Sequence, residues 1–242
     1  MNQSDDFAPR PHYDVNDLFA ADAADEARAK FLRLTYSHLM LAILAFIGLT
    51  YVFMHTQAIL EPMVRMIQGG QWFFVLFAFM GVSWVADRWA RSDTSLGMQY
   101  LGLALYTVAE AIIFVPLLYI AQVTAGPDVI PTAAGLTMLA TAVLTAVVFI
   151  TGKDFSFLRT LLIVLSFTLM GAMAASVFFG LNMPVTLFAG IGVVLGSGMV
   201  LYSTSNVLHH YRTDQYVAAS LSLFAAIALL FWYILQLVMS RR

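Results

Sequence analysis

Polar residues crowd the start of the chain and afterwards retreat to short breaks between long apolar runs. The runs are about Tyr36–Phe53, Trp72–Trp89, Met98–Ile120, Ile130–Ile150, Leu158–Phe179, Val185–Leu208 and Tyr216–Met239. A membrane-spanning helix needs about 17–25 predominantly apolar residues, and all seven runs meet that length. Their short connections place neighbouring helices antiparallel. The pattern predicts an all-α membrane protein, a seven-transmembrane-helix bundle over residues 34–242. Pro116 lies late in the third run, where the missing N–H and the ring predict a kink. No internal repeat of the kind that builds solenoids is present.

The first 33 residues read differently. They hold seven of the 14 acids, Asp5, Asp6, Asp14, Asp17, Asp22, Asp25 and Glu26. With little apolar surface to bury, residues 1–33 are expected to be a polar, largely disordered tail. Its end, DAADEARAKFLRL, has acids first and bases last, which suits a helix dipole. A short surface helix leading into the membrane is expected there. The acidic opening lacks the basic-then-apolar order of a secretory signal, so no cleavable signal is expected.

Composition strengthens the membrane reading. The chain is 61% hydrophobic and 11% charged, against about 25% charged in a soluble domain, and its mean hydropathy is +0.82. The net charge of −2 leaves no basic patch to neutralise phosphates, so no nucleic-acid partner is expected. Zero cysteines exclude disulfides, thiolate metal sites and a cysteine nucleophile. Nine of the 12 Lys and Arg fall in the tail and in the breaks after runs two, four and six. Positive charge stays inside, which predicts a cytoplasmic N-terminus and an outside C-terminus.

Chemistry is sparse. Glu110 is the one ionisable group well inside a run, and a carboxylate at bilayer depth is costly enough to be a functional candidate by default. Tyr106 and Thr107, at i−4 and i−3, share its helix face. Glu110 reads as a proton or cation site or as a protonated structural carboxyl held by those hydroxyls. Asp87 and Arg91, spaced i, i+4 with the acid first, read as an interfacial ion pair or as a gate, with Ser83 extending their face inward. Ser203, Asn206 and His210 fall at i, i+3 and i+7 on one face of run six. Asp214 is the only acid near His209 and His210 in sequence, and adjacent histidines diverge by about 100° on a helix, so no metal site is expected. Ser197 sits in LGSG rather than the Gly-x-Ser-Gly turn of an intramembrane serine protease. Neither lysine, Lys30 or Lys153, lies in run seven for a Schiff base. The expectation is no catalytic residue, no cofactor and no enzyme. Gly192 with Gly196, and Gly171 with Ala175, are small-xxx-small pairs that suit packing within the bundle or a dimer face.

Three elements, taken together, resemble the Bax inhibitor-1 family over roughly residues 30–240. They are seven segments after a polar tail, TGKDFSFL opening segment five, and LYSTSNVLHHYRTDQYVAASLSLF joining segments six and seven. The resemblance, to the bacterial branch, implies an integral protein of a bacterial inner membrane that passes calcium as a pH-sensitive leak, with two buried aspartates in the last two helices as a latch. Here Ser203 stands at the first latch position, and the second falls at or beside Ala226. Neither can titrate, so the latch is absent. Two functions are therefore expected as alternatives. One is a cation (calcium) or proton leak with Glu110 as its intramembrane carboxylate. The other is a non-conducting regulatory or scaffold protein that binds a membrane protease or another membrane partner.

Overall fold

The computed structural model describes residues 19–68, 72–92, 95–180 and 184–241. Among them are eight helices: α1 Asp25–His55, α2 Gln57–Gln68, α3 Trp72–Ala90, α4 Leu96–Ala125, α5 Val129–Thr151, α6 Leu158–Phe179, α7 Val185–His209 and α8 Tyr216–Met239. Six of them, α1 and α4 to α8, are long and apolar enough to cross a bilayer. The expected count of seven is thus not reached on length and composition. The second expected span does form a helix, α3, but its last turn carries Asp87 and Arg88, which dilute its apolar character.

Two other expectations change. The short surface helix is the first two turns of α1, which runs 31 residues without a break across the expected boundary at 33/34. Continuity follows from sequence: nothing between Asp25 and His55 is a Gly–Pro break, and the acids Asp25 and Glu26 sit at the positive end of the dipole. The tail residues 1–18, with their expected disorder, lie outside the described residues. The stretch after run one, passed over as a connection, forms α2. Its polar residues Gln57, Glu61 and Arg65 recur every four positions, so it is amphipathic rather than apolar throughout. Glu61 and Arg65 form an exposed ion pair at 3.0 Å.

Local chemistry sets the ends. The Ser95 hydroxyl caps α4 by accepting the Met98 N–H at 3.2 Å. Gly152 ends α5 at φ +58°, a left-handed turn that a side chain would resist. It opens the sharp α5–α6 connection. The helix α4 continues through Pro116, which is buried.

The centre of the bundle is α8. It packs against α7, α1, α5, α4 and α3. An aromatic cluster fills the space between α1, α4 and α8. Phe46 meets Phe114 edge-on at 5.1 Å, and Phe114 stacks on Phe231 at 5.6 Å and meets Trp232 at 5.0 Å. In lipid the drive for such packing is close contact rather than water release, so small residues matter. A Cβ on Gly196 would sit 2.8 Å from the Leu230 Cα, and one on Gly192 would enter the Tyr233 ring. The Gly192–Gly196 pair therefore packs α7 onto α8 inside one chain. Gly171 faces open space. At the rim, α6 leans on α7 and exposes Leu161, Ile163, Phe167 and Met170.

Candidate functional site

The sequence-predicted residues gather on two faces that meet at one end of the bundle. This end holds the starts of α1, α4, α6 and α8 and carries Arg88, Arg91, Lys153, Arg159 and Arg212. It is called the basic end below.

The first face lies between α3 and α4. Glu110 is 6% exposed, halfway along α4, and its Oε2 has no hydrogen-bond partner. Its polar neighbour is Tyr106, one turn closer to the basic end, and Asp87 lies on the facing helix α3 beyond Tyr106. Asp87, Tyr106 and Glu110 thus form a line from the basic end toward the middle of the bundle. Ser83, one turn inward of Asp87, has a buried hydroxyl without a partner. Thr107 does not join the line: its hydroxyl donates to the Leu103 carbonyl of its own helix at 2.8 Å.

Asp87 and Arg91 form the expected pair. The Arg91 Nε lies 2.9 Å from both carboxylate oxygens. The guanidinium does more than the i, i+4 spacing foretold. Its Nη2 donates to the Tyr211 hydroxyl at 3.2 Å, and it lies over the Tyr211 ring at 5.6 Å. That contact ties α3 to the α7–α8 connection. The chain before α1 ties on at the same place, where the Ala20 N–H donates to the Tyr211 carbonyl at 2.9 Å.

The second face lies on α7. Ser203 is buried, and its Oγ accepts from the Ser222 hydroxyl of α8 at 3.2 Å. Ala226, one turn further along α8, is also buried. Two hydroxyls and a methyl occupy the region where the family's carboxylate latch is expected. Asn206 and His210 continue the face to the basic end, where they line an open cleft of about 510 Å³ with Arg91, Arg159 and Tyr202.

His210 has a partner that the sequence did not reveal. Its Nε2 lies 3.0 Å from Oδ2 of Asp154, 56 residues away in the α5–α6 connection. The same carboxylate accepts the Ser156 N–H at 2.8 Å and the Ser205 hydroxyl at 3.3 Å. The Phe155 N–H donates to the Ser205 oxygen at 2.8 Å. Desolvation pushes the Asp154 pKa up, but the Ser156 N–H and the charge of His210 outweigh it, so it sits below the ordinary aspartate value. The result is a clasp that holds the KDFS connection to the end of α7. The order differs from that of a Ser–His–Asp relay: the Ser205 hydroxyl meets the Asp154 carboxylate, which stands between serine and imidazole. The one legible signal was Asp154-Phe155-Ser156, an Asx-turn sequence before a helix. Asp214, the acid near the histidines in sequence, instead pairs with Arg212 at 3.1 Å. Among the described residues no group of three His, Cys, Asp or Glu could hold a metal.

The two faces lie on different helices. Glu110 sits on α4 and Ser203 on α7, and α8 packs against both of these helices. Arg91 joins them at the basic end, through Asp87 on one side and Tyr211 on the other.

Comparison with known proteins agrees with this architecture. Residues 28–242 match the family model described as inhibitor of apoptosis-promoting Bax1. An uncharacterized protein of Pseudomonas aeruginosa is 31% identical over 221 residues, covering 91% of this chain and 93% of that one. The modulator of FtsH protease YccA from Escherichia coli is 31% identical over 111 residues, 46% of this chain and 50% of its own. A BI1-like protein of Arabidopsis thaliana is 32% identical over 88 residues, 36% of this chain and 34% of its own. With the family match running from the first turn of α1 to the end of the chain, this membrane-embedded helical protein belongs to the Bax inhibitor-1 family.

Proposed function

We propose that this protein is a non-conducting regulator in a bacterial inner membrane, acting through contact with a membrane protease of the FtsH kind. The observation that carries the reading is the latch region itself. Ser203 and Ser222 bond to each other and Ala226 is buried beside them, so the last two helices offer no carboxylate there to bind a cation or share a proton. The name of the Escherichia coli relative supports the choice of partner. In this reading α3 crosses the membrane as the seventh span, with Asp87 and Arg88 at its interfacial end. The basic end is cytoplasmic and the C-terminus outside, as the bias of Lys and Arg implies. The test is co-reconstitution with an FtsH-type protease and a membrane substrate. A changed degradation rate, with the two proteins co-purifying, is expected. An unchanged rate with no co-purification overturns the assignment.

One observation favours a second reading, a proton or cation leak. Glu110 keeps an unpartnered oxygen in the bundle interior, with Tyr106 leading back toward Asp87. A buried polar atom without a partner is costly, and function is the usual reason for keeping an ionisable group at that depth. Liposomes loaded with a calcium or pH dye separate the readings. Flux lost in Glu110→Gln supports the leak and refutes the non-conducting regulator. Absence of flux at any pH refutes the leak.

A further inference from the structure

The cleft at the basic end adjoins an apolar groove. Arg159 and Tyr202 line the polar cleft and also an apolar groove of about 260 Å³ between α6 and α7. That groove is walled by Leu162, Ile163, Phe167 and Met199. Its outer wall, Ile163 and Phe167, belongs to the least buried of the six candidate spans, the one that leans on α7 at the rim. In a membrane-embedded protein this groove faces hydrocarbon, and its mouth reaches the headgroup layer.

The charges at the mouth are unequal. Arg91 is answered by Asp87, and His210 by Asp154. The Arg159 guanidinium has no acid or hydrogen-bond partner among the described residues, and no acid lines the cleft. Beside it stand Tyr202 and Asn206, which can donate further hydrogen bonds. A guanidinium suits bidentate binding of a phosphate group. We propose that this is a binding site for an anionic phospholipid of the adjoining leaflet, with the phosphodiester against Arg159 and one acyl chain along the α6–α7 groove. Neutral lipids share the chains but lack the net negative headgroup, so the site discriminates by charge. A free phosphate has the same headgroup chemistry without the groove contacts.

The test is native mass spectrometry of the intact protein in mild detergent, titrated with phosphatidylglycerol or phosphatidylcholine. One phosphatidylglycerol should be retained in preference to phosphatidylcholine. Arg159→Gln should weaken that retention about fivefold, the worth of one basic residue at an anionic membrane surface. Arg159→Lys should recover most of it. Ile163→Trp, which fills the exposed groove, should weaken it too, while Arg65→Gln at the opposite end leaves it unchanged. Equal retention of the two lipids overturns the proposal, as does an Arg159→Gln protein that binds like the parent. Displacement of the lipid by millimolar inorganic phosphate reassigns the site to a free anion and overturns the lipid.

Discussion

The substitution Gly102→Ala tests how the basic end is built. Gly102 lies on α4 where α3 presses closest. A Cβ there would come within 2.5 Å of both the Ala86 carbonyl oxygen and the Ala90 nitrogen. These are backbone atoms, so no side chain can turn aside. Ordinary contact begins near 3.4 Å, so the end of α3 must retreat by about 0.9 Å. Overpacking of this kind costs about 1–3 kcal/mol. Replacing a helical glycine with alanine returns up to about 1 kcal/mol of propensity. Against a helical glycine replaced where nothing is near, which gains the same propensity, the deficit is about 1–3 kcal/mol, roughly 2–12 °C in Tm for a chain of this size. The same retreat carries Asp87 and Arg91 away from Tyr211, stretching the 3.2 Å hydrogen bond beyond bonding range. The assay is thermal unfolding in detergent, with Gly48→Ala and Gly81→Ala as controls. Neither control meets another atom within 4 Å, so both should match or exceed the parent. If Gly102→Ala is as stable as the controls, the close approach of α3 to α4 is wrong.

Three further outcomes follow from named contacts. Tyr211→Phe removes the hydroxyl that Arg91 reaches and keeps the ring beneath the guanidinium, so it should cost under about 1 kcal/mol. Arg91→Gln should cost more, and a double-mutant cycle by thermal unfolding should show coupling, with strict additivity refuting the contact. Asp154 has a folded pKa below its unfolded value of about 3.9, so its stabilisation is full above that value and lost as pH falls through the lower folded one. Unfolding curves from pH 6 to 3 should therefore flatten at the acid end in Asp154→Asn, and an unchanged pH profile refutes the clasp. Glu110→Leu replaces a buried carboxyl with an unpartnered oxygen by hydrocarbon, and should leave stability unchanged or raise it by about 1–3 kcal/mol. Marked destabilisation would identify Glu110 as a structural carboxyl rather than one kept for function.

By itself the sequence determined the class, the helices and the family. Spans are written locally: an uncharged run of about 20 residues has few alternatives to a helix in lipid, and all seven runs formed helices, six of them long and apolar enough to cross a bilayer. The pairing of Asp87 with Arg91 was equally legible, because an i, i+4 acid–base pair lies within one helix. What escaped was what distance along the chain conceals. α2 was missed because its polar face, set by Gln57, Glu61 and Arg65, hides it from a search for apolar runs. His210 pairs with Asp154 rather than Asp214, and Arg91 with Tyr211, 120 residues on. Such partners meet only after α5, α6 and α7 have folded back on one another, and no spacing rule encodes that. The same holds for Gly192 and Gly196. Their spacing allowed a dimer face or an internal seam, and only the position of Tyr233 and Leu230 on α8 made it the seam. Glu110 and Ser203 were each visible as polar residues in apolar runs. That α8 packs against both of their helices, and that Arg91 joins the two faces at the basic end, was decided by the order in which the helices pack.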